Sequence, residues 1–330
     1  MDKLLTIVVP IYKVEPYINK CLDSLIVSSD LMEELEVILV NDGTPDKSAE
    51  MSREYVKQYP ATFKQIDKEN GGHGSAWNVG LRGATGKYVR FLDSDDWFID
   101  LDRLMTELEG CNADLVFNPY VKEYIFENRQ EIVDVPSSNG ITPIHSHMWG
   151  TPQWGLNSTN FWSLTYRASI LKPLDPLFAE GVMFDDYILT WAPLIYGRTY
   201  LSLDFTVYHY LIGRPGQSMS MTQQRKGAES YVKCFEQYEI VRSRIDTSSI
   251  PENYLNFIDR LITGYAGYIF SYMLFFPYSE AYNRMSYLWE RYLRNYDNKS
   301  KLQRRYQRMP FFLFFFLEKI RNLINRKKNG

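Results

Sequence analysis

Apolar runs and helical periods alternate regularly over the first 118 residues, and this rhythm limits the possible folds more than any other feature. The apolar runs predict five strands, at Leu4–Pro10, Glu36–Val40, Phe63–Ile66, Tyr88–Leu92 and Asp114–Asn118. Between them, the spacing of apolar residues predicts helices at Glu15–Val27, Thr44–Tyr59, Ser75–Ala84 and Leu101–Leu108. Strands that alternate with helices form a mostly parallel sheet covered on both faces. The sequence therefore predicts an α/β domain.

After residue 118 the rhythm breaks, and the predictions become less regular. We expect irregular strands over Glu123–Val135, helices over Ser163–Leu171 and Asp185–Ile195, and one strand over Tyr200–Leu211. Further helices are predicted over Arg225–Ile245, 252–276 and 279–296, in a region rich in Tyr and Phe. These patterns indicate a helical extension that follows the α/β domain.

Composition argues against a nucleic-acid-binding, a secreted or a membrane-spanning protein. The chain has 330 residues, of which 45% are apolar, enough for one large domain or for one domain plus a smaller attachment. A net charge of −3 gives no indication of nucleic acid as a partner. Cys21, Cys111 and Cys234 are too far apart for a metal motif, which favours buried thiols in a reducing cytosol. The amino terminus reads as a first strand, so we expect no secretion signal there, and no apolar window is long enough to cross a bilayer.

Three carboxylates follow the fourth predicted strand, in the sequence Asp93-Ser94-Asp95-Asp96. Because side chains alternate along an extended chain, we expect Asp93 and Asp95 to point one way and Asp96 the other. Ligands of open α/β sheets bind beyond the carboxyl ends of the strands. Paired carboxylates there suit Mg²⁺ or Mn²⁺ beside a phosphate-bearing ligand, although a polar turn gives the same pattern.

Other polar residues lie at predicted strand ends and helix starts. Asp42 is either a contact for a base or ribose, or a turn aspartate. The glycine-rich loop around Gly71 and Gly72 brings backbone N–H groups near a ligand, and its His73 is either a ligand contact or a solvated loop residue. Asp185 and Asp186 form either a general-base site or a favourable helix start. Arg214 either neutralises a diphosphate or lies on the surface.

Five motifs in order resemble glycosyltransferase family 2, the inverting transferases with a GT-A fold. They are Val8-Val9-Pro10-Ile11-Tyr12, Val40-Asn41-Asp42-Gly43-Thr44, Asn70-Gly71-Gly72, Asn78-Val79-Gly80 and Phe91-Leu92-Asp93-Ser94-Asp95-Asp96-Trp97. The resemblance is dense over residues 4–118 and looser to about 220. It implies a GT-A domain over 1–220, with nucleotide-sugar binding in 1–118 and acceptor binding in 119–220, followed by an aromatic-rich helical extension over 221–308.

The resemblance also implies roles for individual residues. Pro10 and Tyr12 lie beside the base and ribose, and Asp42 holds the base. Asp93 contacts the ribose or supports the metal, and Asp95 binds Mn²⁺ or Mg²⁺. The other donor-site residues are Gly71, Gly72, Asn78 and Ser94, with Arg214 near the diphosphate. Asp186 is the implied catalytic base, although Asp185 stands where the family commonly has Glu. Trp154–Arg167 lies where such enzymes shape the acceptor pocket.

The implied reaction is the inverting transfer of a hexose from a nucleotide-diphosphate sugar, most simply a UDP-sugar, to a saccharide hydroxyl. By family analogy the acceptor is lipid-linked and the product is a bacterial surface polysaccharide. Two alternatives stay open. One is a non-catalytic nucleotide-sugar-binding subunit. The other is a nucleotidyltransferase, which usually carries a glycine-rich basic loop after its first strand.

The carboxyl-terminal tail, 309–330, has an unusual charge balance. From Ser300 to Gly330 there are nine Lys and Arg residues and one acid, Glu318. Leu317, Ile320, Leu323 and Ile324 recur at helical spacing among these charges. The pattern predicts a helix at a membrane surface, which places the protein on the inner face of the cell membrane. The alternatives are a homo-oligomer interface or a helix that docks on the protein's own aromatic helices.

Overall fold

Two sheets form the centre of the fold. The computed structural model describes residues 3–144, 160–214, 217, 230–248, 250–295 and 301–328. Its strands are β1 (Leu5–Ile11), β2 (Leu35–Asp42), β3 (Phe63–Lys68), β4 (Tyr88–Phe91), β5 (Trp97–Phe98), β6 (Leu115–Phe117), β7 (Tyr120–Tyr124), β8 (Arg129–Val133), β9 (Thr142–Pro143), β10 (Leu164–Arg167), β11 (Thr199–Ser202) and β12 (Tyr208–Ile212). The larger sheet has the order β3-β2-β1-β4-β10-β6-β11-β9, and the smaller β5-β12-β7-β8. The predicted α/β architecture is confirmed.

The first four strands of the larger sheet are parallel, and their order creates a cleft. The chain runs outward from β1 to β2 and β3, then returns to place β4 on the other side of β1. All residues of β1 and β2 are buried, as expected for strands with both faces covered. Such a reversal of strand order opens a crevice beyond the carboxyl ends of the strands. Here those ends are Ile11, Asp42 and Phe91.

The prediction of a helix over Ser163–Leu171 is wrong for its first half. Leu164–Arg167 is strand β10, which lies between β4 and β6 and is antiparallel to both. Ser163 ends a short 3₁₀ helix, and only Ala168–Leu171 is α-helical. The apolar run is short, so its periodicity does not distinguish a buried strand from a buried helix, and its pairing with distant strands decides the outcome.

The predicted strand over Tyr200–Leu211 is divided between the two sheets. Thr199–Ser202 pairs in parallel with β6 in the larger sheet, whereas Tyr208–Ile212 pairs with β7 and β5 in the smaller one. The smaller sheet lies at the cleft because β5 directly follows the acidic turn at 93–96. This sheet therefore forms one wall of the candidate site.

The helices are α1 (Ile18–Asp23), α2 (Ser29–Glu34), α3 (Ser48–Gln58), α4 (His73–Gly83), α5 (Leu101–Glu109), α6 (Ala168–Leu171), α7 (Ala192–Tyr196), α8 (Ser230–Ser243), α9 (Glu252–Met273), α10 (Tyr278–Arg291), α11 (Lys301–Arg308) and α12 (Phe311–Lys328). Helix α3 begins at Ser48, not Thr44, because the Thr44 hydroxyl donates to Asp46 (2.7 Å) and accepts from the Lys13 N–H (2.8 Å). Asp185–Thr190 is a 3₁₀ helix that precedes α7.

The helical extension packs on the α/β domain through aromatic side chains. Tyr265 of α9 stacks on Tyr187 with ring centres 4.1 Å apart, and the Tyr187 hydroxyl donates to the Leu261 carbonyl (3.1 Å). The Tyr254 hydroxyl donates to the Leu194 carbonyl (2.8 Å). The extension thus braces the segment that carries Asp186. The predicted domain boundary near 220 lies outside the described residues. Within the described parts of the chain, no helix is long and apolar enough to cross a membrane.

Candidate active site

The candidate site lies at the carboxyl ends of β1, β2 and β4. Pro10 is buried within β1, opposite Val40 of β2, and Tyr12 follows β1 with 43% of its surface exposed. The Lys13 ammonium lies 5.1 Å from the centre of the Tyr12 ring. An exposed aromatic ring at this strand end suits stacking on a flat ligand such as a base.

Asp42, at the end of β2, holds the glycine-rich loop in place. One oxygen of its buried carboxylate accepts hydrogen bonds from the Gly71 N–H (2.8 Å) and the Lys68 ammonium (2.6 Å). The other oxygen accepts from the Gly72 N–H (2.8 Å). Gly72 has φ +86°, a conformation that L side chains rarely adopt. Asp42 thus shapes the loop, and its predicted contact with a base remains a prediction.

Asn78, predicted to line the nucleotide-sugar site, is instead an internal clamp. Its side chain is fully buried in α4. The amide oxygen accepts from the N–H groups of Leu177 (3.1 Å) and Phe178 (3.0 Å), and the amide nitrogen donates to the Phe178 carbonyl and to Glu180, both at 3.0 Å. The amide thus makes four hydrogen bonds to one segment, so it fixes the backbone that leads to Asp185 and does not face the cleft.

His73 joins two acids from distant parts of the chain. Its Nε2 lies 3.0 Å from Asp93 Oδ1, and its Nδ1 lies 3.1 Å from Asp185 Oδ2. Ionised carboxylates only accept hydrogen bonds, so both ring nitrogens donate and the imidazole is cationic. Burial alone would lower the pKa of His73, but Asp185 and Asp93 raise it well above its usual range. The sequence predicts that His73 is either a ligand contact or a solvated loop residue. In the structure it instead forms an ionic bridge between Asp93 and Asp185.

Asp185 and Asp186 are neighbours in sequence with different surroundings. Asp185 is almost fully buried and pairs with His73, whereas Asp186 is half-buried. Burial raises the pKa of Asp186 to about 7, with the Asp185 charge adding to the effect and His73 opposing it. A general base works best with a pKa near the working pH. The two environments favour Asp186 over Asp185 as the proton acceptor.

Asp95 forms an ion pair with Arg214, which lies just beyond β12. Burial raises the pKa of Asp95, the charge of Asp93 adds to this, and Arg214 opposes it. The Arg214 guanidinium also lies 5.6 Å from the centre of the Tyr17 ring. Ser94 is buried between the two acids. The ion pair places a guanidinium, the usual partner of a diphosphate, beside the predicted metal ligand.

Asp96 has a structural role. The sequence predicts only that its side chain points away from the side of Asp93 and Asp95. Its buried carboxylate accepts from the Tyr208 hydroxyl (2.6 Å) and the Leu211 N–H (2.9 Å), which ties the acidic turn to β12. The chain leaves β4 at Phe91 and turns, with the Asp96 N–H donating to the Asp93 carbonyl (3.0 Å). The turn, and not strand alternation, therefore directs these side chains.

An aromatic wall stands beside the acids. The rings of Trp162 and Tyr210 stack 4.2 Å apart at 20°. Tyr210 precedes Leu211, whose N–H donates to Asp96 (2.9 Å), and burial raises the pKa of Tyr210, with the charges of Asp96, Asp93, Asp95 and Asp186 adding to the effect. Residues 154–159 of the predicted acceptor region, Trp154–Arg167, lie outside the described residues.

The acids do not form a complete metal cage. Among the described side chains, no group of three His, Cys, Asp and Glu residues converges as a metal site would. Two carboxylates at one turn nonetheless fit Mg²⁺ or Mn²⁺, because these ions are commonly held by one or two carboxylates together with substrate phosphates. The donor set fits an ion that arrives with a diphosphate, and it does not fit a permanently closed site.

Comparison with known sequences finds that the chain is similar to several glycosyltransferases. Residues 6–162 match the sequence profile of the family described as Glycosyl transferase family 2. The chain is 41% identical over 191 residues to the uncharacterized glycosyltransferase EpsJ of Bacillus subtilis, which is 56% of this chain and 54% of EpsJ. It is 27% identical over 252 residues to the poly(ribitol-phosphate) beta-N-acetylglucosaminyltransferase TarS of Staphylococcus aureus, which is 72% of this chain and 39% of TarS. The chain thus spans about half of EpsJ and less of TarS.

Solved structures show the same fold. The structure of S. aureus TarS 1–349 in complex with UDP-GlcNAc superposes with a TM-score of 0.60 at 19% identity, and the match covers 88% of this chain and 76% of that one. At this identity the likeness establishes the architecture only. It confirms the predicted GT-A fold with a helical carboxyl-terminal region. The profile match over 6–162 covers just under half of the chain, and over this amino-terminal half the chain is similar to glycosyltransferase family 2.

Proposed function

We propose that this chain transfers a hexose from a nucleotide-diphosphate sugar to a hydroxyl of a saccharide acceptor, with inversion at the anomeric carbon. The observation that carries the proposal is the meeting of acids from two distant segments. His73 Nε2 lies 3.0 Å from Asp93 and its Nδ1 3.1 Å from Asp185, so the acidic turn and the Asp185–Asp186 pair share one cleft. A donor site and a base must be this close for direct displacement.

A UDP-sugar is the proposed donor. The solved relative TarS carries UDP-GlcNAc, and the exposed Tyr12 ring lies at the strand end where a flat base would bind. The Asp42 carboxylate is near this end of the sheet, although it already accepts two backbone N–H groups. In the proposed complex the base lies against Tyr12, and the diphosphate extends toward Asp93 and Asp95.

A divalent cation, Mn²⁺ or Mg²⁺, is the proposed cofactor, held by Asp95 and supported by Asp93. Charge is the physical reason. Four carboxylates, Asp93, Asp95, Asp185 and Asp186, face two cationic side chains, His73 and Arg214, so the cleft is already acidic before an anionic diphosphate enters. A bound divalent ion would supply the positive charge that stabilises the leaving diphosphate. Arg214, released from Asp95, would pair with a phosphate oxygen.

Asp186 is the proposed base. The acceptor oxygen forms a bond to the anomeric carbon while the bond from that carbon to the diphosphate oxygen breaks. The acceptor proton passes to Asp186, and the electron pair of the broken bond leaves with the nucleoside diphosphate. A half-buried carboxylate with a pKa of about 7 is deprotonated often enough at neutral pH and still basic enough to take the proton.

The proposed acceptor is a lipid-linked saccharide in the assembly of a bacterial surface polysaccharide. The relative TarS is named for the transfer of N-acetylglucosamine to poly(ribitol phosphate). Fold and family do not determine an acceptor, so this step of the proposal requires its own test.

Donor hydrolysis tests the proposal without knowledge of the acceptor. The full chain is incubated with a panel of UDP- and dTDP-sugars, with Mn²⁺ or with EDTA, and release of nucleoside diphosphate is measured. We expect slow, Mn²⁺-dependent hydrolysis of one or two UDP-sugars, lost in the Asp186→Asn variant, which keeps donor binding. Binding without hydrolysis of any sugar would indicate a non-catalytic subunit. Release of pyrophosphate from a nucleoside triphosphate would indicate a nucleotidyltransferase.

A further inference from the structure

Helix α12 (Phe311–Lys328) presents an apolar face to solvent. We call it the outer face. Its residues are 41% to 58% exposed and follow one side of the helix: Phe312, Leu313, Phe316, Leu317 and Ile320. Large apolar side chains that are exposed singly are common, but a continuous apolar stripe usually marks an interaction surface. We therefore interpret the outer face as a surface that binds another molecule or a membrane.

The opposite side of α12 packs against aromatic residues of α10 and α11. Phe314 and Phe315 are buried, with Phe314 5.4 Å from the Tyr306 ring and Phe315 5.3 Å from the Tyr278 ring. Tyr282 lies 5.1 Å from Phe311. One expectation from the sequence, docking on the protein's own aromatic helices, is thus met by this inner side. The outer face is additional to it and is not needed to hold the helix in place.

The charges around α12 are almost all positive at its surface. Glu318 is the single acid between residues 300 and 330, and it is buried. Its carboxylate accepts from the guanidinium groups of Arg305 (2.6 Å) and Arg321 (2.7 Å), which neutralise it. Arg304 and Arg308 are exposed on the neighbouring α11. The only negative charge of the segment therefore faces inward, while the exposed apolar stripe has a basic border.

We propose that the outer face of α12 docks on an anionic lipid bilayer. An apolar stripe bordered by Lys and Arg matches an interface in which acyl chains lie below negatively charged headgroups. A second copy of the chain fits less well, because a twofold interface places the same patch against itself. Here that would oppose basic borders without an exposed acid in the segment to pair with them. The proposal does not depend on the proposed transfer reaction.

Vesicle co-sedimentation tests the proposal with the full-length protein. Wild type is compared with Phe316→Glu/Ile320→Glu, which places two charges on the outer face. The matched control is Phe126→Glu/Ile132→Glu, which makes the same change at two apolar residues that are 84% and 62% exposed on the β7–β8 hairpin. Vesicles are pure phosphatidylcholine, or the same lipid with about one third phosphatidylglycerol, since anionic headgroups attract basic segments. Melting curves and circular dichroism confirm that each variant is folded.

Wild type and the control variant should bind phosphatidylglycerol vesicles at least about tenfold more strongly than phosphatidylcholine vesicles, and salt should weaken the binding. The outer-face variant should lose at least about tenfold of this affinity, while its melting temperature stays close to that of wild type. Equal binding by the two variants, or failure of wild type to bind anionic vesicles, would overturn the proposal. So would a dimer in sedimentation velocity that the outer-face variant abolishes, because a second copy would then cover the face.

Discussion

Asp186→Asn should make the protein more stable at neutral pH while it abolishes transfer. Burial raises the pKa of Asp186 to about 7, whereas an aspartate in an unfolded chain titrates near ~3.9. Between these values the folded protein keeps a proton that the unfolded chain has lost. Stability therefore falls as the pH rises through this window, and the full cost is present above pH ~7. An amide of the same shape carries no charge and avoids this cost.

The size of the effect follows from the shift. Three pH units correspond to about 4 kcal/mol at ~1.36 kcal/mol per unit, which is a ceiling. Asp186 is half-buried, so solvent screens part of the penalty, and about 1–3 kcal/mol is the expected gain at pH 8. The gain should shrink as the pH is lowered and disappear near pH 4. This is the stability cost of keeping a charged base in a partly buried cleft.

Urea unfolding of wild type and Asp186→Asn from pH 4.5 to 8.5 measures the gain directly. Asp185→Asn is the matched control: it is the same substitution at the next residue, but it removes a partner of His73 and should destabilise the protein. In parallel, wild-type turnover should fall about tenfold per pH unit below pH ~7, as the base is protonated. A variant that is less stable than wild type at pH 8, or a gain that does not vary with pH, would refute the reasoning. Normal turnover of Asp186→Asn would remove the residue from the mechanism.

Three further changes test other parts of the site. Asp95→Ala should weaken binding of a UDP-sugar in Mn²⁺ but not in EDTA, and calorimetry that shows equal affinity in Mn²⁺ would contradict the metal assignment. Asn78→Ala should destabilise the fold by about 2–4 kcal/mol in urea unfolding, because it leaves buried backbone groups of residues 177 and 178 without partners; a loss under ~1 kcal/mol would show that water replaces the amide. His73→Leu should cost about 3 kcal/mol at pH 7, since two acids lose their shared cation, and unchanged thermal stability would mean that the bridge is not formed in solution.

The first half of the fold was predictable because its information is local. Each strand of the parallel region is a short apolar run that ends near a turn signal, and each helix between them shows its own period. The errors lie where distant pairing decides. Leu164–Arg167 forms a strand because it pairs with both β4 and β6, which are distant in sequence. Tyr208–Ile212 belongs to the second sheet, where Asp96 accepts hydrogen bonds from the Tyr208 hydroxyl and the Leu211 N–H. Periodicity carries no information about either.

The site was predictable as a set of motifs but not as a set of contacts. Family resemblance selected Asp42, Asn78, Asp93, Asp95 and Asp186, and all of them occupy the elements expected. Which of these side chains face the cleft depends on partners 20 to 119 residues away in sequence, such as His73 for Asp93, Gly71 for Asp42 and Arg214 for Asp95. The His73 bridge could not be predicted from the sequence for the same reason, because its two acids lie on opposite sides of β10 along the chain.

The partners of these motif residues divide them into two physical classes. Asp42 and Asn78 bind mostly backbone groups, which cannot leave without unfolding the loops that they hold. Asp93 and Asp95 are instead held by cationic side chains, His73 and Arg214, which can change partners by rotation about single bonds. A diphosphate, like a carboxylate, is an anionic acceptor for these cations. In the proposed donor complex, the cations of the second class turn toward phosphate and free the acids, whereas the first class keeps the cleft in shape.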